Sequence, residues 1–495
     1  MEQVFDVAVI GGGINGCGVA ADAALRGLSV ILLEKDDLAS KTSSSSSKLI
    51  HGGLRYLEQY DFGLVKKALN ERQLLLTLAP HLVHPLPFVL PYEAHMRSRW
   101  LLRTGLFFYD NLSRNNTLPH SKTINRGEAP GYFNPLTKQY TQGFLFYDCA
   151  TDDSRLTIAN ALQAKAHGAH IVRNAEVENA EVIQNCWQLG VKTNAQHRLI
   201  KAKSLINAAG PWASLLNKRL QLPEQFKMTL VKGSHLVVHK LYEGSHAYLL
   251  QNSDQRIVFI VPYHGYTMIG TTDVAFTSSL DDIAISSEEV DYLCNLVNQY
   301  LQCTIQKKDI INTWSGVRPL LGGTDGTLST LSRDYLCNYT SLPAPAVTIY
   351  GGKITTYRQS SLEAVNHLHS VFPTLKPSLS SRTPLPGALF DGLTFREYLK
   401  FAREKYFWLG ETLLERYLAS YGTRTEQLLL GMSNTDNLGQ DFGAGLFQRE
   451  VDFLVQEEWA MSAEDILWRR SKLGLHFSPE KTARLAQYLG VVESV

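Results

Sequence analysis

The chain opens on a strand-like apolar run, Asp6 Val7 Ala8 Val9 Ile10, which stops at Gly11 Gly12 Gly13 Ile14 Asn15 Gly16. After a helical stretch it resumes as Ser29 Val30 Ile31 Leu32 Leu33 Glu34. This pattern predicts strand, glycine turn, helix and strand in that order. Ser204 Leu205 Ile206 Asn207 Ala208 Ala209 Gly210 reads as a strand returning to the same sheet. Leu236 Val237 Val238, residues 257–261 and residues 266–270 are short β-rich runs between Gly, Pro and Asp turns, which predicts an antiparallel sheet in another domain. Val347 Thr348 Ile349 Tyr350 ends on Gly351 Gly352 Lys353 before a helix-like stretch over 355–366. Beyond about Ser381 the punctuation by Pro384, Pro386 and Gly387 gives way to helical spacing at Phe395, Tyr398, Leu399, Ala402 and at Leu413, Leu414, Tyr417, Leu418. That part reads as a helical C-terminal domain, with Ser462 and Asp465 bracketing a helix start ahead of Ile466 Leu467 Trp468.

The glycine segment carries chemistry. Gly11 makes the tight turn, Gly13 lets the backbone approach a pyrophosphate, and Gly16 lets the helix pack on the strand. The pyrophosphate then meets the unpaired N–H groups and positive dipole end of that helix. Glu34, at the tip of the second strand, accepts from a ribose hydroxyl and disfavours a 2′-phosphate, so the cofactor contains ADP. The run Thr42 Ser43 Ser44 Ser45 Ser46 Ser47 Lys48 reads in isolation as a flexible linker. Its place a few residues beyond Glu34, leading into Leu49 Ile50 His51 Gly52 Gly53 Leu54 Arg55 Tyr56 Leu57, favours contact with phosphate or a flat ring instead.

With 495 residues the chain is expected to form two or three domains. A net charge of +1 leaves no electrostatic footprint for nucleic acid. Cys17, Cys149, Cys186, Cys294, Cys303 and Cys337 form no CxxC pair, which argues against a disulfide framework, a zinc site or an iron–sulfur cluster, and a reducing compartment fits. No signal sequence is read before the first strand and no run of 18 apolar residues occurs, so neither secretion by the usual route nor a membrane span is expected; lying on a membrane stays open.

Four segments together resemble the FAD-dependent glycerol-3-phosphate dehydrogenases: the glycine motif with Glu34, residues 47–56, Ser315 Gly316 Val317 Arg318 Pro319, and Gly351 Gly352 Lys353 Ile354 Thr355 Thr356 Tyr357 Arg358. The likeness is greatest to the bacterial aerobic, quinone-linked members. It extends through Lys232 Gly233 Ser234 His235, Gly270 Thr271 Thr272 Asp273, Ser332 Arg333 Asp334 Tyr335 and residues 468–475, departing at Lys41, where many relatives place a small residue. The resemblance implies an α/β and α+β architecture: a Rossmann-like FAD-binding domain of the D-amino-acid-oxidase/glutathione-reductase type (1–75, 150–225 and 310–375), an antiparallel-sheet substrate domain (76–149 and 226–309), and a helical C-terminal domain (385–495). FAD contacts then fall on Gly11, Gly13, Ile14, Asn15, Gly16, Glu34, Thr42, Ser43, Ser46, Ser47, Lys48, Ala209, Gly210, Gly351, Gly352, Lys353, Ile354 and Thr355.

The implied substrate is sn-glycerol 3-phosphate, whose secondary alcohol is oxidised to give dihydroxyacetone phosphate. Arg55, Arg318 and Arg333 are the candidates for its phosphate, because a guanidinium fork matches phosphate oxygens bidentately, and Tyr56 joins them. His235 is the first candidate for the base that takes the hydroxyl proton, with His51 second. Lys353 is expected to stabilise negative charge near flavin N1 and O2. Membrane quinone is the implied electron acceptor, which requires a peripheral position on the cytoplasmic face of the inner membrane, and the resemblance also implies a homodimer. Residues 97–109 are basic and aromatic as interfacial segments are, although a buried helix explains them equally well. Oxygen as acceptor, another oxidase of the same fold, and a flavin sensor without turnover are the competing readings. No Asp-rich EF-hand loop is seen near the C-terminus, which argues against the calcium-regulated mitochondrial form.

Overall fold

A computed structural model describes residues 3–54, 61–93, 98–113, 115–194, 196–252, 256–322 and 333–492. The first sheet is built around Val4–Ile10, flanked by Val30–Leu33 and then His170–Val172 on one side, and by His197–Asn207 and then Ala346–Gly351 on the other. These five strands are parallel, and Tyr335–Thr340 closes one edge antiparallel. Val7, Val9, Val30, Leu32 and Ile206 pack towards the helices Ile14–Leu25, Asp153–Ala166 and Tyr357–Asn366. Phe5, Ala8, Ile10, Ile31, Leu33 and Leu205 pack the other way, towards Trp187 and Leu189 of an antiparallel meander and Leu216 of the helix Ala213–Arg219. A sheet covered on both faces needs apolar residues at successive positions, which explains the unbroken runs in the sequence. The strand order reverses beside Val4–Ile10, so a crevice opens at the carboxyl ends of that strand and of His197–Asn207.

Among the described residues the second sheet has ten strands, antiparallel except where Val83–Pro91 meets Ala247–Gln251. One face packs against the helix Ser287–Tyr300, whose capping box is made by Ser286 and Glu289. The other face carries Phe88, Phe146, Leu249 and Met268 and packs with residues of the helices Phe62–Leu78 and Arg99–Asn111. Two segments leave their expected domain. Ile310–Leu321 pairs along Met228–His239, with Gly316 opposite Gly233 and Trp314 opposite His235, so it belongs to the second sheet and not to a first-domain segment 310–375. Leu49–Ile50 likewise pairs with Gln142–Thr151. Long-range register decides both, and the local pattern carries no trace of it.

The C-terminal part has its own core, including Tyr398, Leu414, Tyr417, Leu454 and Ile466. Ser462 and Asp465 do bond reciprocally, each backbone N–H to the other's side chain, although the turn that follows at Asp465–Arg470 is π-helical. Buried charges join this part to the first domain. Asp37 accepts from Arg469 and Arg470, and Glu458 is paired with Arg155 and Arg424.

Candidate active site

A cavity of about 430 Å³ lies at the crevice and reaches across to the second sheet. Gly11 has φ +112°, and a Cβ there would sit 2.6 Å from the Ala208 carbonyl oxygen, so only glycine lets this turn pass the neighbouring strand. At the start of the first helix the Ile14 N–H donates to Ser43 Oγ at 2.9 Å, which brings the serine run to the anion-binding end of that helix. Glu34 accepts from the Gly12 and Asp36 amides at 2.6 and 2.8 Å, while burial pushes its pKa up against those two bonds. Gly11, Gly13, Ile14, Asn15, Glu34, Thr42, Ser43, Ser46, Ser47, Ala209, Gly210, Gly351, Gly352, Lys353, Ile354 and Thr355 all line the cavity. Gly16 stands behind the wall, where the first helix packs on the Gly11 turn.

Lys48 is a correction. Its φ is +56° and its side chain turns away from the cavity, with Nζ donating to Asp153 Oδ2 at 2.9 Å and to the Ser44 carbonyl at 2.9 Å. Burial lowers its pKa to about 8, with Asp153 opposing that shift. Asp153 also accepts from Ser46 Oγ at 2.8 Å and from Lys472 at 3.4 Å. Lys48 therefore braces the serine loop from behind instead of meeting the cofactor, through a carboxylate that sequence reading missed because it lies 105 residues away.

At the far end the site is cationic. Arg318 donates from Nη1 to Asp273 Oδ1 at 2.5 Å and from Nη2 to Thr271 Oγ1 at 2.8 Å, and Arg333 donates to Asp273 Oδ2 at 3.1 Å. Both arginines, Lys353, Asp273 and His51 line the cavity. Arg55 and Tyr56 lie outside the described residues.

The two candidate histidines stand in different positions relative to the cavity. His235 is buried and does not line the cavity: Nε2 meets Ser47 Oγ at 2.9 Å and the ring stacks on Trp314, with centroids 5.4 Å apart. Its position is fixed by register, opposite Gly270, where any Cβ would collide with the imidazole. Burial, then Arg318 and Lys48, hold its pKa well below the usual range. His51 is the histidine on the wall, edge-on to Phe259, with its backbone N–H 3.3 Å from Thr355 Oγ1. Burial, then Lys353, Arg333 and Arg318, lower its pKa to about 3, so it is neutral at working pH.

This arrangement fits FAD. The Glu34 carboxylate and a helix N-terminus stand at one end. Near the cations, Gly351 and Gly352 have φ of +71° and +97°, and a Cβ on Gly351 would lie 2.8 Å from the Asp334 carbonyl, so the backbone itself forms the wall. The family of FAD dependent oxidoreductases matches the chain over residues 6–357. A glycerol-3-phosphate dehydrogenase of Pseudomonas aeruginosa is 45% identical, over 99% of this chain and 96% of that protein. A D-erythritol 1-phosphate dehydrogenase of Brucella abortus is 41% identical over 98% of each. Among solved structures, the glycerol-3-phosphate dehydrogenase of Bacillus halodurans complexed with FAD shares the fold, with a TM-score of 0.76 and 24% identity over 99% of this chain and 94% of that one.

Proposed function

The chain belongs to the FAD-dependent oxidoreductases and, within them, to the glycerol-3-phosphate dehydrogenases, and we propose that it oxidises sn-glycerol 3-phosphate to dihydroxyacetone phosphate and delivers the electrons to membrane quinone. The observation that carries the substrate reading is the pair Arg318 and Arg333, converging on one wall beside Lys353 and His51. FAD, when bound, supplies the hydride acceptor at N5. The arginines take the phosphate, and each charge-assisted bond contributes about 1.5–3 kcal/mol. Two of them discriminate against unphosphorylated glycerol by about 3–6 kcal/mol, roughly two to four decades. Lys353, on the cavity wall, would supply positive charge to a bound flavin as it gains electrons. His51 accepts the C2 hydroxyl proton as C2–H departs as hydride. It is neutral and in the cavity, and a bound phosphate dianion offsets the arginine charges that depress its pKa. His235 acts one layer back, positioning Ser47.

Anaerobic addition of sn-glycerol 3-phosphate to the FAD-loaded enzyme is expected to bleach the flavin band, whereas glycerol at the same concentration leaves it intact. His51→Asn is expected to slow the bleaching by about 10²–10⁴-fold and His235→Ala by less. An unchanged rate in His51→Asn would move the base role back to His235. The 41% identity to a D-erythritol 1-phosphate dehydrogenase makes a longer phosphorylated polyol the second reading, and bleaching by erythritol 1-phosphate alone would establish it.

The helix Arg99–Asn111 supports membrane contact. Trp100, 83% exposed, and Leu101, about half exposed, lie between Arg99 and Arg103, and Phe107 and Phe108, about one turn further on, are each about half exposed; Arg97 lies outside the described residues. These exposures favour the interfacial reading over the buried helix. The inner face of the helix reaches the site, since Tyr109 OH donates to Asp148 at 2.7 Å and accepts from the Gly52 N–H next to His51. No helix among the described residues is long and apolar enough to cross a bilayer. Flotation with anionic liposomes at low salt is expected to carry the protein upward, and serine at Trp100, Phe107 and Phe108 to weaken binding about tenfold per ring. Wild-type protein left wholly in the soluble fraction would end this part of the proposal.

A further inference from the structure

The cationic end of the cavity contains one feature that a phosphate site does not obviously want, a carboxylate. Asp273 lines the cavity and lies between the two guanidinium groups, one oxygen to each. A simple electrostatic trap would omit it, because an anion at that place repels the anion to be bound. Its neighbours show what it does instead. Arg318 is held at two points, by Asp273 through Nη1 and by Thr271 through Nη2. Arg318 also passes directly over Gly233, where a Cβ would strike the guanidinium. The arginine is thus laid flat against the sheet by the glycine, the threonine and the carboxylate, and Arg333, from a separate segment, is brought to the same carboxylate. Burial alone would push the Asp273 carboxyl up, but Arg318 and then Arg333 overcome this and hold it below the usual range, so it is ionised whenever the enzyme works.

We infer that Asp273 is a positioning and specificity residue: an internal counter-ion that fixes the two phosphate-binding arginines before substrate arrives and trims their charge. Arg318, Arg333 and Lys353 against the one Asp273 carboxylate sum to +2, equal and opposite to a phosphate dianion. Asp273 therefore weakens capture of anions in general and secures placement of the one that reacts, a trade of affinity for geometry. The inference rests on the reading that Arg318 and Arg333 take the substrate phosphate.

The test uses FAD-loaded enzyme, with calorimetric binding of dihydroxyacetone phosphate to the oxidised form and stopped-flow flavin reduction at saturating sn-glycerol 3-phosphate. Asp273→Asn removes the charge and holds only one guanidinium, so product binding is expected to tighten about threefold to tenfold while the limiting reduction rate falls by at least tenfold. Asp273→Glu keeps the charge but displaces both arginines, so binding is expected to stay within about twofold of wild type while the limiting rate again falls at least tenfold. The split between affinity and rate distinguishes positioning from a structural role. Limiting rates within twofold of wild type in both variants would overturn the inference, and so would affinity falling together with rate in Asp273→Asn. Should Asp273→Asn fail to fold, the rate of Asp273→Glu decides alone. The underlying substrate reading fails separately, and only if wild-type enzyme does not bind dihydroxyacetone phosphate.

Discussion

Gly16→Ala is expected to give a protein that is purified without FAD and does not take it up at micromolar concentration. The first helix starts at Ile14, so Gly16 lies in its first turn, facing back onto the glycine turn. An added Cβ would enter the Gly11 carbonyl oxygen, far inside van der Waals contact, and would also touch the Ala208 side chain at 3.4 Å. Neither neighbour can yield cheaply. Gly11 is tied by its N–H to the Leu33 carbonyl at 2.9 Å, and Ala208 by its N–H to the Ile10 carbonyl at 2.9 Å, so both belong to the ends of buried parallel strands. The helix must lift instead, carrying the Ile14 amide away from the pyrophosphate position. Overpacking of side chains costs about 1–3 kcal/mol, and a backbone clash costs more, so a loss of at least about 100-fold in FAD affinity is expected. Gly13→Ala is the informative comparison. There the added Cβ meets only Ser43 Oγ, at 3.1 Å, so the protein should fold normally yet bind FAD poorly, because the methyl group projects into the cofactor's place. The ratio of flavin to protein absorbance and a circular-dichroism melt together give the result. Stoichiometric flavin and a wild-type melting temperature in Gly16→Ala would refute the packing argument.

What the sequence made legible follows from the range of the forces involved. The turn at Gly11, the helix packing at Gly16 and the place of Glu34 at the second strand's tip were readable because all three lie within one continuous strand–helix–strand unit, where spacing alone fixes geometry. The place of Arg318 on the cavity wall was readable because an arginine between Val317 and Pro319 has few uses on a surface. His235 ranks ahead of His51 in the sequence, where both follow stretches with small residues, but which of them faces the cavity depends on the pairing of Met228–His239 with Tyr266–Gly270 and Ile310–Leu321. The same long-range register moved Ile310–Leu321 out of the first domain. Lys48 reads as a cofactor contact because its partner, Asp153, stands on a later helix, and Asp273 has no role legible in the sequence because the arginines it meets come from other segments. Residue type predicts what a group can do. Which neighbour it meets is set by tertiary pairing that no short window contains.

The seam between the C-terminal part and the first domain should be the place where the structure opens when one buried charge is removed. Glu458 closes a helix of the C-terminal part and is paired with two cations, Arg155 of the first domain's helix Asp153–Ala166 and Arg424 of its own part; Arg155 Nη2 donates to Oε1 at 2.9 Å. Burial would raise the Glu458 pKa, but Arg155 and Arg424 overcome it and hold it at about 2, against 4.5 for an ordinary glutamate. A depressed carboxylate stabilises the folded state fully above its unfolded pKa, and that contribution disappears as pH falls from about 4.5 through about 2. At about 1.4 kcal/mol per pH unit this amounts to about 3 kcal/mol. Glu458→Gln keeps the shape but leaves two buried guanidinium groups without their counter-charge, and breaking a buried pair in this way costs about 3–5 kcal/mol. In urea the C-terminal part is then expected to separate early, ahead of the flavin domain, giving a two-step transition where wild type gives a later one. The acid sensitivity of this step between pH 5 and pH 2 should shrink in the variant, because the group that titrates there has been removed. Coincident unfolding of variant and wild type at pH 7, read by tryptophan fluorescence and by protease cleavage in the C-terminal part, would show that the seam draws its strength elsewhere. Another candidate would be Asp37, whose carboxylate receives Arg469 and Arg470 a few residues beyond Glu34. Loss of that grip would reach the cofactor directly, whereas loss of Glu458 should release the C-terminal part and leave the flavin bound.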